Sequence, residues 1–135
     1  MMVTAPLGSG ASVTVVLDPG THVITCTATD SDGNVGTDSI AVTSVSPVAV
    51  IDHPGDGETR VATSDIPFVG VGRDVEDGAL TGADLVWTNS IDGMFGTGGT
   101  FNYNALSAGT NVITLTVTDS AGNTGTDTIS LTLTP

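Results

Sequence analysis

Lysine is absent from this 135-residue chain, and its only strong bases are Arg60 and Arg73. Against 15 acids they leave a formal net charge of -13. So acidic a surface repels phosphate backbones, which excludes nucleic acid as a partner. It also disfavours anionic membrane surfaces. A single cysteine, Cys26, allows no intrachain disulfide and no paired-cysteine metal site. No run of 18 apolar residues is present, so no membrane-spanning helix is expected. The start, Met1 to Pro6, has neither a basic n-region nor an apolar h-region and does not read as a signal peptide. If the protein is exported, the chain is expected to be an excerpt or a processed product. Aromatic residues make up only 4%.

Hydrophobic residues nevertheless reach 39%, with 18 glycines, so the chain is no disordered polymer. The informative feature is an internal repeat. Residues 17–43 read LDPGTHVITCTATDSDGNVGTDSIAVT, and residues 106–132 read LSAGTNVITLTVTDSAGNTGTDTISLT. The offset is 89 residues without a gap, and 17 of the 27 positions are identical. Upstream, Leu7–Gly10 matches Phe95–Gly98 after a one-residue gap. Residues 47–94 have no counterpart. The chain is therefore expected to hold the C-terminal half of one unit over 1–46 and a complete unit over 47–135. The joint is expected at Ser46-Pro47.

The periodicity is that of strands. Ile113, Leu115 and Val117 alternate with Thr114, Thr116 and Thr118; Ile129, Leu131 and Leu133 alternate with Thr128, Ser130 and Thr132. Period two with a Thr/Ser outer face predicts a half-buried antiparallel sheet. The segment 119–125 has hairpin-loop chemistry. The first copy repeats the pattern with Ile24, Cys26 and Ala28, a loop over 30–36, then Ile40 and Val42. Further strands are predicted at 48–52, 66–72, 84–89 and 99–105. The fold class is all-β. Trp87, the only tryptophan, is expected to plug the core, with Phe68 and Phe101 beside it. Cys26 stands where the second copy has Leu115 and reads as a small buried hydrophobe. The glycine run 93–99 reads as a loop or bulged edge.

These residues resemble the immunoglobulin-like, PKD-like modules of bacterial and archaeal extracellular repeat proteins. The motifs carrying the resemblance are Asp74-Val75-Glu76-Asp77-Gly78, Trp87 through Gly93, Ala108 through Thr114, and Thr118 through Asn123. The resemblance implies an antiparallel Ig-like β-sandwich, preceded here by the C-terminal half of a second copy. It also implies an extracellular or cell-surface setting. The chain departs from PKD proper: Trp87 is followed by Thr-Asn-Ser, and Asn111 and His22 stand where many such domains carry tyrosine.

Two acidic segments are candidate metal sites. Asp30-Ser31-Asp32-Gly33-Asn34 places oxygen ligands at a spacing that Ca2+ could use, although it is not an EF-hand loop. The second copy opens its loop with Asp119 but has Ala121 where the first has Asp32. The simpler reading is a turn begun by an aspartate. Asp74, Glu76 and Asp77 form the other cluster, with Asp52 or Asp56 as further candidates. No cofactor other than calcium is suggested. Catalysis is not expected. Only His22 and His53 could serve as near-neutral bases, and no nucleophile elbow, zincin helix or P-loop lysine is present.

A half-unit of about 46 residues is too small to bury a core alone. Its apolar strand faces are expected to recruit neighbouring strands, from adjacent repeats of the same protein or from copies of the chain. The expected role is a non-enzymatic stalk or filament subunit. The alternative is an adhesin or glycan-binding appendage, which would need an exposed aromatic platform.

Overall fold

The computed structural model describes residues 6–15 and 17–135. The reading of Met1–Ala5 as no leader lies outside the described residues. The chain divides into two compact units, the first ending at Ser44 and the second running from Val45 to Pro135. Among the described residues the regular elements are strands, apart from one short 3-10 turn at Gly82–Asp84.

The first unit is a hairpin of β1 (Gly20–Thr29) and β2 (Val35–Ser44), paired antiparallel from Gly20 opposite Ser44 to Thr29 opposite Val35. Among the described residues its sheet has no third strand. None of the unit's described residues is buried.

The second unit has nine strands: β3 (Val48–His53), β4 (Glu58–Val61), β5 (Ile66–Asp74), β6 (Gly78–Leu80), β7 (Leu85–Asn89), β8 (Gly93–Thr97), β9 (Thr100–Tyr103), β10 (Gly109–Thr118) and β11 (Thr124–Thr134). One sheet runs β4-β11-β10-β7-β8; the other is β3-β5-β6, with β9 also on β5. All pairings are antiparallel except β4 on β11, which is parallel. The two sheets enclose one core as a β-sandwich. Ile113, Leu115 and Val117 of β10 and Ile129, Leu131 and Leu133 of β11 point into it, while the intervening threonines and serine face outward. This is the alternation read from the sequence, with the strand pleat as its cause.

Trp87 is fully buried and meets Phe68 of the facing sheet edge-on at 5.6 Å. Its indole N–H donates to the Gly98 carbonyl at 2.8 Å, so the polar end of the ring is satisfied inside. Phe101 stacks on Phe68 at 5.5 Å, and Phe95 and Tyr103 complete the cluster. Glycine is required in β5 by this packing. A Cβ on Gly70 would stand 2.7 Å from Leu115 Cδ2 and 2.8 Å from Trp87 Cζ2.

The strands foreseen at 48–52, 66–72, 84–89 and 99–105 correspond to β3, β5, β7 and β9. Sequence periodicity does not reveal β4, β6 or β8. Each has three to five residues and takes its register from the strand it pairs with. The glycine run is an edge strand whose pairing with β7 shifts register between Trp87 and Thr88, the bulged-edge form of the expectation.

Candidate functional site

The two hairpin loops have the same local chemistry. In the first, Asp30 Oδ1 accepts from the N–H groups of Asp32 and Asn34, each at 2.9 Å, and Oδ2 accepts from Asn34 Nδ2 at 2.9 Å. These bonds, led by the Asn34 side chain, hold the Asp30 carboxyl below its ordinary value. In the second, Asp119 Oδ1 accepts from Asn123 N–H at 2.8 Å and Oδ2 from Asn123 Nδ2 at 3.1 Å. Gly33 and Gly122 close the loops at φ 86° and 88°, where a side chain would be strained. Both carboxylates thus do the work of a turn. Asp32 is exposed, and its side chain makes no hydrogen bond among the described residues.

The other acidic cluster sits on the turn between β5 and β6. Asp74 is 8% exposed. Its Oδ2 accepts from the N–H groups of Glu76 at 2.9 Å and Asp77 at 3.1 Å. Its Oδ1 is buried and has no hydrogen-bond donor. Burial pushes the Asp74 carboxyl up, but the Asp77 N–H and the Glu76 groups outweigh it and leave the carboxyl below its ordinary value. Glu76 moves the other way, raised by contact with the Asp74 carboxylate, then by desolvation, with the charge of Asp119 adding to it. Asp77 reaches across to the β10–β11 loop, where its carboxylate accepts from Ser120 N–H at 2.6 Å and Ser120 Oγ at 2.7 Å. Asp74, Glu76, Asp77 and Asp119 therefore gather at one end of the second unit. Among the described residues, no three His, Cys, Asp or Glu side chains are already in metal-binding geometry.

Asp30 and Asp32 lie in the first unit, where no strand among the described residues supplies counterparts of Asp74 and Glu76. Asp56 is engaged elsewhere, its Oδ1 accepting from Ser130 N–H at 2.8 Å. Of the two histidines, His22 places Nε2 2.7 Å from the Asp18 carbonyl. Its repeat partner Asn111 donates to the equivalent Ser107 carbonyl at 3.1 Å. This shared bond braces a strand start. Sequence reasoning missed Asp92 and Asp127. Asp92 accepts from Ser107 N–H, Ser107 Oγ and Asn89 Nδ2. Asp127 Oδ2 accepts from Ile51 N–H at 2.8 Å, tying β3 to β11. An aspartate inside a Thr-rich strand was the available signal for the second.

The hairpins β1–β2 and β10–β11 have the same register: Ile24 faces Ile40 as Ile113 faces Ile129. Their surroundings differ. Ile129 is 7% exposed and Ile40 61%. Leu115 is fully buried, whereas Cys26 in the equivalent place is exposed, which corrects the expectation of a buried thiol. The sequence at that position is right for a core, but among the described residues of the first unit no strand beyond β1 and β2 is present to cover it. Among the described residues, Asp38 accepts only from its neighbour Ser39 N–H, where its repeat partner Asp127 also holds β3. No family model, no curated protein and no solved structure matches this chain.

Proposed function

We propose that the chain is a non-enzymatic structural module of an extracellular repeat protein, a stalk or filament subunit of Ig-like, PKD-like type. In this reading the hairpin β1–β2 is completed by the front half of a like unit, equivalent to residues 45–105, from a neighbouring repeat or copy. One observation carries the proposal: two hairpins of near-identical sequence and identical register, one buried against a facing sheet and the other uncovered. The second unit displays what the first lacks. Its front half covers Ile113, Leu115 and Val117, donates Ile51 N–H to Asp127, and places Asp77 on Ser120. The first unit offers Ile24, Cys26, Ala28, Asp38 and Ser31 at the matching positions. The parallel pairing of β4 with β11, beside antiparallel β3 on β5, supports the Ig-like type.

The glycan-binding alternative has less support, because all five aromatic rings join one cluster and none is exposed. Negative-stain electron microscopy of the purified chain at neutral pH, with calcium, tests assembly. Uniform filaments or rings, lost in Ile40→Asp, support completion between copies. Monomers at high concentration would refute self-assembly and leave an adjacent repeat as the sole source of the missing strands. Binding to a glycan array that depends on Tyr103 would overturn the structural reading.

A further inference from the structure

The Asp74 carboxylate is an unbalanced feature of the second unit. Its Oδ1 is buried with no hydrogen-bond partner, and the Glu76 carboxyl neighbours the Asp74 carboxyl. A buried acceptor left without a partner is costly, and two carboxylates in contact repel. No side-chain cation relieves them. Arg60 is 2.6 Å from Glu58, and Arg73, exposed and next in sequence to Asp74, points to the opposite face of β5. Two agents can satisfy such a pair: a shared proton or a bound cation.

The surroundings favour the cation. Asp119, also 8% exposed, adds negative charge from the facing sheet. The bonds from Ser120 to Asp77 hold the two loops together without consuming Asp74 Oδ1. Hard carboxylate oxygens, one buried on Asp74 and the others on exposed Glu76, suit calcium, which accepts six to eight oxygens and tolerates irregular geometry. A chain of net charge -13 with no lysine further concentrates divalent cations at such a point.

We propose that the end of the second unit where the β5–β6 and β10–β11 loops meet is a calcium site, with Asp74 Oδ1 and the Glu76 carboxylate as its protein side-chain ligands and Asp119 as a supporting charge. Water supplies the remaining ligands. The ion sits at the end where the two sheets meet, because Asp74 ends β5 and Asp119, whose charge supports it, follows β10. The site belongs to the second unit only. Both oxygens of Asp30 are held by its own loop, and the described residues of the first unit include no equivalents of Asp74 and Glu76. One calcium per chain is expected. This inference is independent of the assembly reading.

The test is calorimetric titration of the chelator-treated full chain with calcium chloride at neutral pH, paired with thermal unfolding followed by Trp87 fluorescence. The expected result is one saturable site and a midpoint rise of at least ~5 °C at a calcium concentration of about 100 times Kd. Magnesium, which dehydrates reluctantly, is expected to bind at least ~10-fold more weakly. Asp74→Asn and Glu76→Gln should each weaken calcium binding ~10-fold or more, and Asp30→Asn should leave it unchanged. Glu76 is exposed, so Glu76→Gln decides the matter if Asp74→Asn fails to fold. Absence of calcium heat and of a midpoint shift would overturn the proposal. So would undiminished affinity in Glu76→Gln.

Discussion

Ile40 and Ile129 are the same residue, at the same register, in two copies of one hairpin. Truncating each to alanine measures what the facing sheet contributes. Ile129→Ala removes three carbon groups, worth ~0.8 kcal/mol each in transfer free energy. A residual cavity of about 50 Å3 adds ~1 kcal/mol at ~24 cal/mol per Å3. The expected cost is therefore ~3–4 kcal/mol, against a whole stability of roughly 5–14 kcal/mol for a unit of this size. Ile40 is 61% exposed. Ile40→Ala should change stability by less than ~0.5 kcal/mol, as other surface substitutions do. Urea unfolding followed by Trp87 emission is the assay, because the only tryptophan lies in the core of the second unit. At a slope of ~1.5 kcal/mol/M, Ile129→Ala should lower the midpoint by ~2 M and leave the slope intact. Ile40→Ala should leave the midpoint in place at low protein concentration. A loss below ~1 kcal/mol at Ile129 would refute the packing argument. A matching loss at Ile40 would show that its face is already covered.

Gly70→Ala forces a methyl into Leu115 and Trp87, and should cost ~1–3 kcal/mol in the same assay. The Cys26 thiol should react completely with a disulfide reagent in the dilute native chain and become protected in filaments, since assembly would cover it. Two carboxyls should couple stability to pH with opposite sign, as NMR titration of each will show. Asp92, held below 3.8 first by Ser107 N–H and then by Ser107 Oγ, contributes stability that is complete above 3.8 and is lost as pH falls through the lowered value. Glu76, raised above 4.5 by Asp74, binds its proton more tightly when folded, so its contribution falls as pH rises from 4.5 through the raised value. Saturating calcium should remove the Glu76 effect by holding the carboxylate charged.

The β10–β11 hairpin was readable because its pattern is local. Alternation assigns Ile113, Leu115 and Val117 to one face, and the Asp-to-Asn loop supplies its own side-chain acceptor and a glycine at positive φ. The same arithmetic, applied at an offset of 89 residues, gives β1–β2. Trp87 was readable as core because a lone large ring in an apolar run has few other places to go. The strands β4, β6 and β8 were not readable, since each is short and its register is imposed from outside.

The candidate site divides in the same way. The sequence by itself named Asp74, Glu76, Asp77 and Asp119 as acids beside turns. Only the tertiary structure decided that Asp77 reaches Ser120, 43 positions along the chain, and that Asp74 keeps one oxygen buried without a donor. Period and turn chemistry are written in adjacent residues, so sequence carries them whole. Burial depends on what folds over a face, and two hairpins of almost one sequence differ in burial because, among the described residues, only one has a facing sheet.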